Sequence, residues 1–135
     1  FSEMSVLSEE FAQCVAHQTD KIVFITDREK VIAAAGDGLK GIVGKEISHS
    51  LERILDDRDE SLPLAERSRF IPVVEGMDGA DEVKKVEQVR QMIRSNGQII
   101  GSIIIQSKDP KYKVGEFEKK VAMVAAEFLG KQITI

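Results

Sequence analysis

Apolar residues recur at helical spacing at both ends of the chain. Near the start, Ser5 or Ser8 can cap a helix whose first turns carry an acidic pair, and residues 19–20 end the pattern. The positions at helical spacing are the apolar residues Leu7, Phe11, Cys14 and Val15, followed by Gln18. Near the end, residues 114–132 show the same period. Their stripe is Phe117, Val121, Val124, Ala125, Phe128 and Leu129. The pattern predicts two amphipathic terminal helices.

Short apolar runs between the terminal helices indicate strands. Residues 21–26 and Val31–Ala35 are rich in β-branched and small apolar residues, and the polar residues 27–30 between them predict the turn of a hairpin. Because both runs are apolar on both faces, both faces of the sheet must be covered.

A mid-chain helix is predicted after a glycine-rich loop. Residues 36–44 lack the spacing of a phosphate-binding loop, so we interpret them as a loop with a short helical turn at 39–43. Ser48 or Ser50 caps the helix that follows, and the charged residues 56–60 close it. Its apolar stripe is Ile47, Leu51, Ile54 and Leu55.

Three more strands are predicted in the second half of the chain. Residues 70–74 are predicted as a strand in which Pro72 requires an edge position or a bulge, while residues 86–93 alternate loosely between apolar and polar. The Asn-Gly pair at 96–97 favours a type I′ hairpin turn. Residues 98–106 then form the central strand, where Gly101 allows close approach of a neighbouring element.

The predicted element order is α–β–β–α–β–β–β–α. This order is typical of an α+β fold, an α/β sandwich in which an antiparallel sheet carries the terminal helices on one face and the mid-chain helices on the other. The 135 residues fit one domain.

Charge and composition exclude several classes of function. The chain has 19 basic and 23 acidic residues, a net charge of −4, so it lacks the excess of positive charge that binds nucleic-acid phosphates. No apolar run approaches the roughly 20 residues of a membrane span, so no membrane partner is expected. The single cysteine excludes an intramolecular disulfide, and we expect a cytoplasmic protein.

Residue types that carry chemistry are scattered. Cys14 on an apolar stripe is interpreted as core or interface packing, because a redox sensor needs an exposed thiol of lowered pKa. His17 and His49 lack metal-ligand spacing, and the acidic residues at 56–60 and 78–82 are interpreted as solvated. We therefore predict no catalytic residue, no metal site and no cofactor, and a small enzyme is the least favoured alternative.

Four segments carry a family resemblance. Residues 96–105, NGQIIGSIII, resemble the NGxxIGxxxI pattern at the end of GAF domains. With residues 22–36, 45–58 and 115–133, the chain resembles the C-terminal regulatory domain of the AbrB-type transcriptional regulators of sporulation. The resemblance implies that residues 1–135 are a single GAF-like regulatory domain, and that DNA is bound only through a separate N-terminal domain that no segment here matches.

The resemblance also implies a pocket for an unidentified small molecule, on the sheet face covered by the mid-chain helices. Alternation along the strands suggests the lining residues of this pocket. They are Ile25, Ala34, Leu51, Ile54, Leu55, Phe70, Val74, Arg90 and Ser102. Arg90 is suited to clamp a carboxylate or phosphate, and Arg90-Gln91 departs from the smaller residues of related sequences. The alternative is that Arg90 faces solvent and the apolar residues fill a ligand-free core.

The terminal helices offer more apolar surface than one sheet face absorbs, which predicts a homodimer through both helices. The expected interface residues are Leu7, Phe11, Val15, Phe117, Val121, Val124, Phe128 and Leu129. Two functions remain open. The chain is a regulatory domain that senses a ligand and dimerises, or it is an oligomerisation module without a ligand.

Overall fold

The computed structural model describes residues 2–36, 41–56, 70–76, 86–109 and 111–132. Three helices and four strands lie in these ranges. They are α1 (Ser2–Thr19), β1 (Ile22–Thr26), β2 (Val31–Ala35), α2 (His49–Asp56), β3 (Gln88–Ser95), β4 (Gln98–Gln106) and α3 (Glu116–Gln132).

The four strands form one antiparallel sheet in the order β2-β1-β4-β3. The β4 strand pairs with β1 on one side and β3 on the other, which confirms residues 98–106 as a central strand. The turn between β3 and β4 has positive φ at Asn96 (53°) and Gly97 (79°), as a type I′ turn requires.

Each face of the sheet carries its own apolar core, so the predicted α+β fold is confirmed. On one face, α1 and α3 pack against the strands. This cluster is Ala12, Val15, Val23, Ile25, Ile32, Ala33, Ile93, Ile103, Ile105, Ala122, Ala125, Ala126 and Leu129. On the other face, which we call the α2 face, the core is Phe24, Val31, Ile42, Ile47, Leu51, Leu55, Val73, Val74 and Ile104.

Gly101 lies where β4 meets the end of β1. A Cβ added there would overlap the carbonyl oxygen of Thr26. Only glycine therefore allows β1 to approach β4 at this point, which confirms the role expected of Gly101.

Residues 70–74 do not form a strand, contrary to the sequence prediction. Pro72 has no amide hydrogen for a ladder, and Ile71 bonds instead to the side chain of Gln88, through its amide nitrogen (3.2 Å) and its carbonyl oxygen (2.8 Å). Residues 70–74 thus cover part of the α2 face without the backbone hydrogen bonds of a β-strand.

The helix boundaries differ from the predicted ones at two places. The α1 helix begins at Ser2, so Ser5 and Ser8 lie within it and neither caps it. Ser8 is instead fully buried on the side of α1 that carries the core residue Ala12. Of the predicted helical turn at 39–43, residues 41–43 form no helix and the others lie outside the described residues.

Candidate functional site

A hydrogen-bonded group of polar side chains lies on the α2 face, at the start of β3. The side-chain amide of Gln88 donates to Gln106 Oε1 at 3.0 Å and to the carbonyl oxygen of Ile71. Arg90 Nη1 donates to Gln88 Oε1 at 2.6 Å. Arg90 pairs with Ile104 across the sheet, so both residues point to the α2 face.

Arg90 is half-buried, so part of its side chain lies against the protein and part is open to solvent. Burial lowers the pKa of its guanidinium from the ordinary value, because water no longer solvates the charge fully. A charged group in such a setting is suited to bind an anion, yet Gln88 already accepts one of its hydrogen bonds. Its role in ligand binding stays a prediction.

The other predicted pocket residues divide into three groups. Leu51, Leu55 and Val74 are packed in the core of the α2 face. Ser102 is also buried, and its hydroxyl lies 2.7 Å from Thr26 Oγ1 in a closed hydrogen bond. These four side chains fill space between the sheet and the elements that cover it.

Three predicted pocket residues are only half-buried, and one is misplaced. The half-buried residues are Ala34, Ile54 and Phe70. Ile25 lies opposite Ile103 and packs in the cluster of the terminal helices, so its predicted place on the α2 face is wrong. Strand alternation specifies which residues share a face, but not which helices cover that face.

An open cavity of about 360 Å³ lies at the hairpin end of the α2 face, and among its described lining residues Leu55 alone was a predicted pocket residue. Its lining is Arg28, Leu55, Arg94, Gly97, Gln98 and Ile99. Arg28 comes from the β1–β2 turn, and its Nη1 donates to the carbonyl oxygen of Ile99 at 3.0 Å. Residues 28 and 94 are far apart in the chain, and only the antiparallel sheet brings them to one cavity.

The terminal helices expose an apolar stripe. Phe117, Val124 and Phe128 are 56%, 67% and 41% exposed, and Val121 between them is half-buried. Phe128 packs against Phe11 of α1, with ring centroids 5.1 Å apart.

We call this stripe, together with its neighbours on α1, the apolar seam. Its members are Leu7, Phe11, Phe117, Val121, Val124 and Phe128. The two remaining residues of the predicted interface, Val15 and Leu129, lie in the core of the single chain.

The described residues that were weighed for catalysis or metal binding lie at the surface, and the acidic residues 57–60 and 78–82 lie outside the described residues. Cys14 is exposed, so it is not a core residue of the single chain. His17 and His49 are exposed as well. Within the described ranges, no group of three or more His, Cys, Asp or Glu side chains is placed to hold a metal ion. Nor does any helix in those ranges have the length and apolar character needed to cross a membrane.

Comparison with known proteins finds a matching family and a relative in Bacillus subtilis. Residues 3–134 match the family described as "Stage V sporulation protein T C-terminal, transcription factor". Stage V sporulation protein T of Bacillus subtilis (strain 168) is 33% identical over 132 residues, which cover 98% of this chain and 70% of that relative.

Proposed function

The chain belongs to the stage V sporulation protein T C-terminal family of transcription factors, and from this we propose that it is a regulatory domain that self-associates through the apolar seam and binds a small molecule on its α2 face. The family membership supports a regulatory role in sporulation. The proposal further assigns the chain a GAF-type fold, a cytoplasmic place of action and no enzymatic activity, with DNA bound through a separate N-terminal domain.

Exposure of the apolar seam is the observation that carries the proposal. Phe117 and Phe128 are large aromatic side chains that remain exposed to water, whereas Ala122, Ala125, Ala126 and Leu129 of the same helix are buried against the sheet. A continuous exposed apolar stripe marks an interaction surface more often than it marks an ordinary surface. A second copy of the same seam matches its apolar character, because a two-fold axis places identical surfaces against each other.

Sedimentation of the chain tests self-association. At about 100 µM we expect a dimer, because apolar side chains removed from water stabilise association. Val124→Glu places a charge in the seam and is expected to yield a monomer.

The matched control is Met123→Glu. Met123 is 41% exposed on α3 and lies outside the seam, so the same substitution there leaves the dimer intact. A wild-type chain that sediments as a monomer contradicts the proposed assembly, and equal effects of both substitutions contradict the assignment of the interface to the seam.

Arg90 supports the ligand-binding part of the proposal. A half-buried guanidinium loses hydration, and an anionic ligand restores favourable interactions for it. A thermal-shift screen of nucleotides, amino acids and other metabolites tests this, since a ligand at 100 times its Kd stabilises the native state by about 2.7 kcal/mol. We expect Arg90→Gln to abolish the shift, while Lys120→Gln on the exposed side of α3 preserves it.

The packing of Leu51, Leu55 and Val74 favours the second candidate function, an oligomerisation module without a ligand. These side chains occupy the place where the pocket was predicted. Self-association together with silence throughout the metabolite screen would support this second function over the first.

A further inference from the structure

The cavity at the hairpin end has walls from three separate parts of the chain. Arg28 belongs to the β1–β2 turn, Leu55 to the last turn of α2, and Arg94, Gly97 and Ile99 to the β3–β4 hairpin. Its volume of about 360 Å³ is within the range of small-molecule pockets.

Among the described residues that line this cavity, the two charged side chains are arginines, although the chain as a whole is acidic. Arg94 pairs with Ile99 across the hairpin, so these two side chains lie on the same face of the sheet. Two guanidinium groups on one small cavity attract an anion, because each presents several hydrogen-bond donors in a plane that matches a carboxylate or a phosphate.

The side chain of Arg28 is held by one backbone oxygen and one carboxylate. Its Nη1 donates to the carbonyl oxygen of Ile99, and its Nη2 pairs with the carboxylate of Asp56 at the end of α2. Asp56 is 59% exposed and Arg28 45% exposed. Exposed ion pairs contribute little to stability, so a bound anion can replace Asp56 as the partner of Arg28 without a large cost.

The apolar part of the lining favours an organic anion over an inorganic one. Leu55 is buried and Ile99 half-buried, and both belong to or pack against the apolar core of the α2 face. Gly97 has no side chain to cover the turn. An apolar body therefore fits beside the charged groups, and a bare inorganic ion leaves that surface unused.

We propose that this cavity is a binding site for a small organic anion, a carboxylate or a phosphate monoester with an apolar body, held by Arg28 and Arg94. The anion displaces Asp56 and so loosens the contact between the β1–β2 turn and the end of α2. This inference rests on the proposed sensor role. It adds a class of ligand and a binding site whose described lining does not include Arg90.

Calorimetric titration of the full chain with chosen probes, at constant ionic strength, tests the site. The probes are phenyl phosphate and benzoate as organic anions, inorganic phosphate as an anion without an apolar body, and benzyl alcohol as an apolar body without charge. We expect at least one of the organic anions to bind, at least about tenfold more tightly than either partial probe. Which of the two binds more tightly distinguishes a carboxylate from a phosphate ligand.

Variants assign the binding to the cavity. Arg28→Gln and Arg94→Gln are each expected to weaken binding about tenfold, and Asp56→Asn is expected to strengthen it by removing the competing carboxylate. Arg53→Gln is the matched control, because Arg53 is an exposed arginine of α2 that does not line the cavity. Circular dichroism of each variant checks that the fold is retained.

Each outcome decides the proposal. Binding that Arg28→Gln and Arg94→Gln leave unchanged, benzyl alcohol that binds as tightly as the organic anions, or no binding of either anion would overturn it. The proposed sensor role is tested separately by the thermal-shift screen. It is contradicted if no metabolite raises the melting temperature. It is supported, without this cavity, if a metabolite binds and only Arg90→Gln abolishes the shift.

Discussion

Glu87 holds the segment before α3 in place. Its Oε1 accepts a hydrogen bond from the Val114 amide at 2.9 Å, and its Oε2 lies 3.3 Å from Lys113 Nζ. The amide hydrogen bond, with a smaller effect of Lys113, lowers the pKa of Glu87 below its ordinary value of 4.5. A carboxyl group whose pKa falls on folding stabilises the folded state only where it is ionised.

We expect the contribution of Glu87 to be complete above pH 4.5 and to vanish as the pH falls through its folded pKa. Glu87→Gln therefore lowers the urea midpoint at neutral pH, and the difference from wild type shrinks as the pH falls below 4.5. Glu10→Gln, on the exposed side of α1, serves as the control and is expected to show no such trend. A constant difference at all pH values would contradict the assigned role.

Of Arg28, Arg90 and Arg94, the sequence alone suggested only one as an anion ligand. A single sequence suggested Arg90 as an anion ligand, because it interrupts a strand pattern. Arg28 and Arg94 were not singled out, since a charged residue in a turn or near a hairpin end is ordinary. Their common cavity depends on the pairing of β4 with both neighbours, which no local pattern contains.

At the scale of elements, α2 and residues 70–76 stabilise each other. Ser48 Oγ accepts a hydrogen bond from the Leu51 amide at 3.1 Å and donates to the Pro72 carbonyl oxygen at 2.7 Å. The Ser48 amide in turn donates to the Val73 carbonyl oxygen at 2.7 Å. One serine thus caps the helix and anchors the segment that covers the α2 face.

Ser48→Ala is expected to lower the free energy of unfolding by about 2 kcal/mol, since it removes a helix cap and leaves the Pro72 carbonyl oxygen without its hydroxyl donor. Ser50→Ala is the matched control, because Ser50 lies exposed within α2 and was the alternative cap by sequence. Chemical denaturation measures both. Equal effects would show that Ser48 does not cap the helix.

The elements that could be predicted are those with a strong local signal. The Asn96-Gly97 turn, the strand that follows it and the period of α3 specify their structure through local sterics and apolar spacing. Residues 70–74 resemble a strand in composition, but their hydrogen-bond partners are the side chain of Gln88 and the side chain and backbone amide of Ser48. Partners so distant in sequence cannot be identified from a local pattern.

For the whole molecule, self-association through the apolar seam links stability to concentration. If the dimer is the folded unit, each tenfold increase in protein concentration raises the Tm by about 2–3 °C, because mass action favours the associated state. Differential scanning calorimetry across two decades of concentration measures this. Val124→Glu removes the dependence, whereas a wild-type Tm that does not change with concentration argues against coupled folding and assembly.

The sequence alone determined the α+β fold and the covering of both sheet faces by helices, because apolar periodicity specifies the type of an element and the side it buries. Only the tertiary structure decided that Ile25 faces the terminal helices, that Val15 and Leu129 are core residues, and that Phe117 and Phe128 remain exposed. It also brought Arg28 and Arg94 to one cavity. The physical reason is that burial and proximity depend on which elements pack together, and strand pairing sets this between residues far apart in the chain.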